Sequence, residues 1–358
     1  MPCSAPSLFP SRSAGRFCAP LRLVHVGLLA VAAAYVATAP AHAVSIEWVT
    51  VGNAGNANSG VAYEYRIGMY EVTIRQYTDF LNAAAKTDPY GLYHVNMQTN
   101  VNVAGISRTG VPGAYEYSVM NNSGDSSNRP ITYVSWFDAA RFANWLHNGQ
   151  GSGSTETGAY TLGGVTSGST VAVNPHAQFY VPTDSEWIKA AYYSPLLNSG
   201  TGGFSTYATQ SNANPGNSDS GGSNQANYNN GVYAVSQSSG YSSSQNYLMN
   251  VGTFASSSSY YGTFDQSGNV SEFTSPTIAS MNVFLRGGDW GNDASRLSRA
   301  VTAISFPDSS LSTTGFRLAS PVPVPEPTTW AMGVGGIICA GWGAFRRRPP
   351  RPRRPSCS

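Results

Sequence analysis

Cysteine is missing from the middle of this sequence. Of the four in the 358 residues, Cys3 and Cys18 lie near the start and Cys339 and Cys357 near the end. Residues 44–320 can therefore form no internal disulfide and offer no thiolate nucleophile or thiolate metal ligand. Lysine is nearly absent too, with Lys86 and Lys189 alone in that stretch. The whole chain has 20 basic and 18 acidic residues, but nine of the arginines sit in its two ends. The central stretch keeps 11 basic against 17 acidic residues, a net charge near −6, which excludes a basic nucleic-acid footprint. Its histidines, His94, His147 and His176, form no i,i+4 pair that could grip a metal from one helix face. Serine is so frequent that spacing singles out no nucleophile–base–acid set.

The ends carry what the middle lacks. Residues 1–43 read as a secretory signal: Arg12, Arg16 and Arg22 precede the apolar run 23–37, and Ala41-His42-Ala43 forms an A-x-A cleavage site. A membrane anchor is the alternative. At the other end Pro325, Glu326 and Pro327 precede 18 mostly apolar residues (328–345) and then an arginine cluster, which would stay on the cytoplasmic side of a bilayer. This ending resembles the PEP-CTERM sorting signal of Gram-negative bacteria, whose tail is removed by an exosortase-type membrane protease. The resemblance implies a transient inner-membrane anchor, then the cell surface or the extracellular space; a plain C-terminal anchor is the alternative.

Residues 44–320 are long enough for one domain with a substantial core. Residues 63–73 alternate like a strand. Thr73 and Gln76 form a capping box before helical spacing over 74–85. Ser135, with Asp138 three residues on, starts a second helix whose inner face is Trp136, Ala139, Ala140, Ala143 and Leu146. Thr183 and Glu186 cap a third within 181–193. Residues 147–164 read as a flexible insertion or a hairpin arm. Residues 194–263 are rich in Gly, Ser, Asn and Tyr and predict ordered loop with short strands, because disordered segments are poor in aromatics.

In order along the chain, "YEVTIRQYTDFLNA" (70–83), "RPITYVSWFDAARFANWL" (129–146), "VPTDSEWIKAA" (181–191), "GTFDQSGNVSEF" (262–273), "LRGGDW" (285–290) and "TGFRLA" (314–319) resemble the sulfatase-modifying-factor domain of formylglycine-generating enzymes. The resemblance implies an α+β, C-type-lectin-like fold with low regular secondary structure and few short helices. The oxygen-dependent enzymes bind Cu(I) through a Cys-x4-Cys pair after the "RGGS-aromatic" turn. Those positions are Asn292 and Leu297 here, with Asp289 at the serine. Soft Cu(I) needs thiolates, so the copper chemistry is not expected. Arg286, Arg299 and Arg317 are expected to make buried charge-assisted bonds. The family's structural calcium would be held by Asp265, the Gly268 and Val270 carbonyls and Glu272, with a second site including Asn227. Trp136, Trp145, Trp187 and Trp290 are expected to fill the core, a sugar-binding face being the alternative. The function expected is that of an exported, calcium-stabilised binding or structural module of the envelope or extracellular matrix, with polysaccharide as a candidate partner. The alternative is an enzyme of this superfamily, which includes non-haem iron enzymes, working through a different site.

Overall fold

A computed structural model describes residues 43–56 and 59–322. The sorting tail with Pro325, Glu326 and Pro327, and the expected signal up to residue 42, lie outside the described residues. Among the described residues no helix is long and apolar enough to cross a membrane.

The expected helices form where their caps place them. Helix α1 (Ile74–Ala84) starts at Thr73, whose hydroxyl accepts from the Gln76 amide while the Gln76 side chain accepts from Thr73 N–H. A single turn, α2 (Asn96–Thr99), was not foreseen. Helices α3 (Trp136–His147) and α4 (Asp184–Tyr192) repeat the reciprocal cap through Ser135–Asp138 and Thr183–Glu186. Each cap satisfies helix-end donors that would otherwise be unpaired in the interior. Helix α3 runs through the centre, with Trp136 to Leu146 all buried. Rings of Tyr77 and Phe80 on α1, Phe142 and Trp145 on α3, and Phe316 interlock there. Each such side chain contributes roughly 1.5–3 kcal/mol by leaving water.

The sheets are small. Strands β1 (Trp48–Val51) and β2 (Tyr65–Gly68) pair antiparallel. β3 (Ile106–Thr109) and β4 (Glu116–Val119) form a hairpin, and β5 (Tyr193–Ser194) pairs with β6 (Gly203–Phe204). β7 (Ser271–Thr274), β8 (Val283–Arg286), β9 (Ala303–Ser305) and β10 (Thr314–Gly315) make a sheet in the order β10-β7-β8-β9. β11 (Ala319–Pro321) returns to the other edge of β2, giving the order β1-β2-β11. The strand expected over 63–73 is thus only four residues long, because the chain leaves it after Gly68 to reach the α1 cap.

Two loop expectations change. Residues 147–164 are neither a hairpin nor free of the core. Asn144 on α3 donates to the Thr155 and Tyr160 carbonyls and accepts from Tyr160 N–H, and Arg141 pairs bidentately with Glu156 at 2.7 and 3.0 Å. Across 194–263 the expected short strands are limited to β6 and the end of β5, and the rest reduce to isolated bridges such as Gly216 with Gln225. Order there comes from side chains bonding backbone: Asn217 donates to Tyr228 O and Val232 O, and Asn102 to Ser242 O and Gln245 O. The abundance of Asn and Ser is the reason these loops need no ladder to satisfy their carbonyls.

Candidate functional site: the 285–300 turn and its acidic neighbours

Strand β8 ends at Arg286, whose guanidinium holds both oxygens of Asp184 at 2.7 Å and adds a bond to Val301 O. The chain then turns through Gly287 and Gly288. A Cβ on Gly288 would lie 2.9 Å from Leu297 Cδ1 and 3.1 Å from Arg296 O, at a φ of +69°, so the turn requires glycine there. Asp289 faces inward. Its Oδ1 accepts from Gly291 N–H at 2.9 Å, and Asn292 Oδ1 accepts from Asp289 N–H at 3.2 Å. Burial pushes the Asp289 carboxyl up to about 6, against the pull of the Gly291 and Asn292 amides. A cavity of about 220 Å³ opens here, lined by Ser271, Asp289, Asn292, Arg296 and Thr314 among others. Thr314 Oγ1 is buried without a hydrogen-bond partner.

The two positions expected to replace thiolates differ from each other. Asn292 is half-buried and bonded within its own turn, and its carbonyl accepts from Asn229 N–H. Leu297 is fully buried, packed with Tyr207, Ala226, Tyr228 and Ala294. Neither side chain offers Cu(I) a soft donor, so the residues present do not fit that ion.

The acids expected to hold calcium meet in a buried centre, but a side chain supplies the cation. Arg317, fully buried, places Nε 2.6 Å from Glu272 Oε2 and Nη2 2.7 Å from Glu272 Oε1. Trp187 Nε1 also donates to Glu272 Oε2, at 2.8 Å. Glu71, 2% exposed, has its Oε2 3.9 Å from Arg317 Nη2 and no hydrogen-bond partner for that oxygen. Burial, then the nearby Asp265, pushes the Glu71 carboxyl well above the usual range, with Arg317 opposing. Asp265 accepts from Gly252 N–H at 2.6 Å, and burial raises its carboxyl to about 6. Gly268 and Val270 lie in the intervening turn, with Gly268 N–H donating to Gly287 O. Asn227 turns its amide group to Tyr247 O and Asn269 Oδ1. Among the described residues no group of three or more His, Cys, Asp or Glu side chains is arranged to hold a metal.

As assembled, Glu272 does not fit a calcium ion: its oxygens already accept three short bonds, and a guanidinium occupies the charged side. The melting temperature of the full chain is therefore expected to agree within about 1 °C between millimolar Ca²⁺ and EDTA. A rise of several degrees in Ca²⁺, removed by Asp265→Asn, would restore the ion to this turn; a site bound at a hundredfold excess over Kd would add about 2.7 kcal/mol.

The remaining expected residues separate. Arg299 is exposed, lying over the Phe204 ring, and is not the buried ion-pair partner expected. His94 stacks on Tyr133, His147 accepts from Gln178 N–H, and His176 is exposed. Trp136, Trp145 and Trp187 are core residues, whereas Trp290 is half-exposed. Sequence reading missed Glu71, and the pairing of Asp184 with Arg286, because partners 102 residues apart leave no local pattern.

Few short helices, small sheets and long ordered loops around an "RGGD" turn define a class of fold. The sulfatase-modifying factor enzyme 1-like domain matches residues 43–322, and the chain belongs to that family. Among solved structures it is similar to CarF, at 22% identity over 78% of this chain and 99% of that one, with a TM-score of 0.46. It is also similar to Treponema denticola variable protein 1, at 19% identity over 72% and 85%, TM-score 0.41. PvdO from Pseudomonas aeruginosa is a third, at 16% identity over 78% and 93%, TM-score 0.38. No curated protein matches the sequence.

Proposed function

We propose that this chain is an exported binding or structural module built on the formylglycine-generating-enzyme fold, one that does not make formylglycine by copper chemistry. The observation that carries this is the state of the two ligand positions: Asn292 bonds into its own turn and Leu297 is sealed in the core. The arginine-led apolar start and the Pro325-Glu326-Pro327 tail support export, sorting by an exosortase-type protease, and a final place at the cell surface or in the matrix. One observation favours a second reading, an enzyme with different chemistry. Asp289, its carboxyl near 6, shares a cavity with the unpartnered Thr314 hydroxyl. A carboxyl held near neutrality is suited to moving a proton.

The test is a Cys-x-Pro-x-Arg peptide incubated with the full chain, Cu(I) and oxygen. No formylglycine above the protein-free control is expected. The Asn292→Cys, Leu297→Cys double variant is expected to stay inactive as well, since Asp289 also departs from the enzyme pattern. Peptide conversion by the unaltered chain would overturn the proposal.

A further inference from the structure

Four aromatic side chains meet beside the 285–300 turn, and none belongs to the cavity described above. The Tyr247 and Trp290 rings stack at 4.7 Å with planes 7° apart. Tyr241 stacks on Tyr247 in turn, at 5.7 Å and 16°. Tyr233 leans across all three, at 4.6 Å from Tyr247, 6.3 Å from Tyr241 and 6.2 Å from Trp290. Tyr247 is buried in the middle, while Tyr241 at the end is 59% exposed. Tyr241 OH donates to Asn102 Oδ1 at 2.6 Å, and Tyr247 OH accepts from Ser242 N–H at 2.7 Å. Asn102 in turn holds the Ser242 and Gln245 carbonyls. The free ring is thus fixed before any ligand arrives, which lowers the entropic cost of binding.

The surroundings restrict what could lie on that ring. No residue between Asp219 and Asp265 carries a charge, and the loop from Tyr233 to Tyr247 is Ser, Gln, Gly, Asn and Tyr apart from Ala234 and Val235. Single-stranded nucleic acid also stacks on aromatics, but it needs a positive groove along its backbone. A bound cation is favoured by several ring faces converging on it; here Tyr241 alone is exposed, Tyr233 and Trp290 being only partly so. Hydroxyls and amides around an aromatic plane match a ligand with an apolar face of C–H groups and a rim of hydroxyls, which is a neutral sugar ring.

We propose that Tyr241, backed by Tyr247 and Trp290, is a stacking platform for a neutral polysaccharide. This deepens the binding-module reading by naming a ligand class. The platform is tested by electrophoresis of the full chain through native gels containing neutral glucan, mannan or galactan, with Trp290 emission as a second readout. At least one neutral polymer is expected to retard the chain and to shift the emission. Tyr241→Ala is expected to weaken that binding about tenfold or more, and Tyr241→Trp to keep it. Because Tyr241 is exposed, Tyr241→Ala should melt within a few degrees of the parent, which separates lost binding from lost fold. Retardation unchanged in Tyr241→Ala overturns the platform, as does binding confined to an acidic polysaccharide, single-stranded DNA or an apolar peptide. No retardation in any neutral polymer, with the peptide assay also negative, sinks the platform and leaves the non-catalytic reading standing. Peptide conversion together with Tyr241-dependent retardation does the reverse.

Discussion

Glu272→Gln is expected to lower the melting temperature by on the order of 10 °C. Glu272 and Arg317 are both fully buried, and the pair shares two short bonds, at 2.6 and 2.7 Å. Removing the carboxylate's charge leaves a guanidinium in the interior with no close counter-charge, which costs about 3–5 kcal/mol. A domain of this size loses roughly 2–4 °C per kcal/mol. Glu71, 3.9 Å from Arg317, offers only partial cover, since burial resists its ionisation. The informative comparison is the double variant Glu272→Met, Arg317→Met. Apolar replacement of a whole buried pair is often nearly neutral, whereas breaking the pair is not. Thermal melts should therefore place the double variant above the single one. A single variant within 2 °C of the parent would mean that the pair does not hold this centre.

Gly268→Ala is expected to leave little or no soluble folded protein. Gly268 adopts φ +96°, and an added Cβ would sit 2.3 Å from Asn227 O and 3.0 Å from Asn227 C. Both contacts are backbone, so nothing flexible can yield. Opening the turn would break the bonds from Asn269 N–H to Asn227 O and from Gly268 N–H to Gly287 O. Strain of this kind, added to lost buried hydrogen bonds, belongs to the class of effects above about 4 kcal/mol. Gly91→Ala is the control. It shares a positive φ, +67°, but its Cβ would meet nothing within 4 Å, so its cost is the backbone term alone, roughly 1–2 kcal/mol. Equal yields and equal melts for the two variants would refute the contact argument.

The helices were legible because their signals are local. A Thr or Ser followed three residues later by Gln, Asp or Glu, then apolar residues at helical spacing, names the start; the single inner face read for α3 was too narrow, because that helix is buried on every side. The turn glycines and the absence of cysteine were legible for the same reason. The β3–β4 hairpin was not read, although Gly110, Pro112 and Gly113 mark its turn region, because each strand is only four residues long. The partners of the arginines were beyond reach altogether. Arg317 finds Glu272 at 45 residues' separation, and Arg299, expected to pair inside, stays at the surface. Such pairings are chosen by the packed fold, and no periodicity encodes them. The aromatic stack was hidden likewise: Tyr241, Tyr247 and Trp290 come from two segments joined only in space.

The sheet β1-β2-β11 has a mechanical meaning. β1 and β11 both run antiparallel to β2, so they point the same way on its two sides. Trp48, where β1 begins, is level with Gly68, while Pro321, where β11 finishes, is level with Tyr65 at the opposite end of β2. Tension applied between the two ends of the domain therefore pulls β1 and β11 lengthwise past β2. The rungs on each side must then fail together rather than unzip in turn. A domain stretched between an anchor and a load would resist by shear, and its lifetime under force would be set by the rate of that joint rupture.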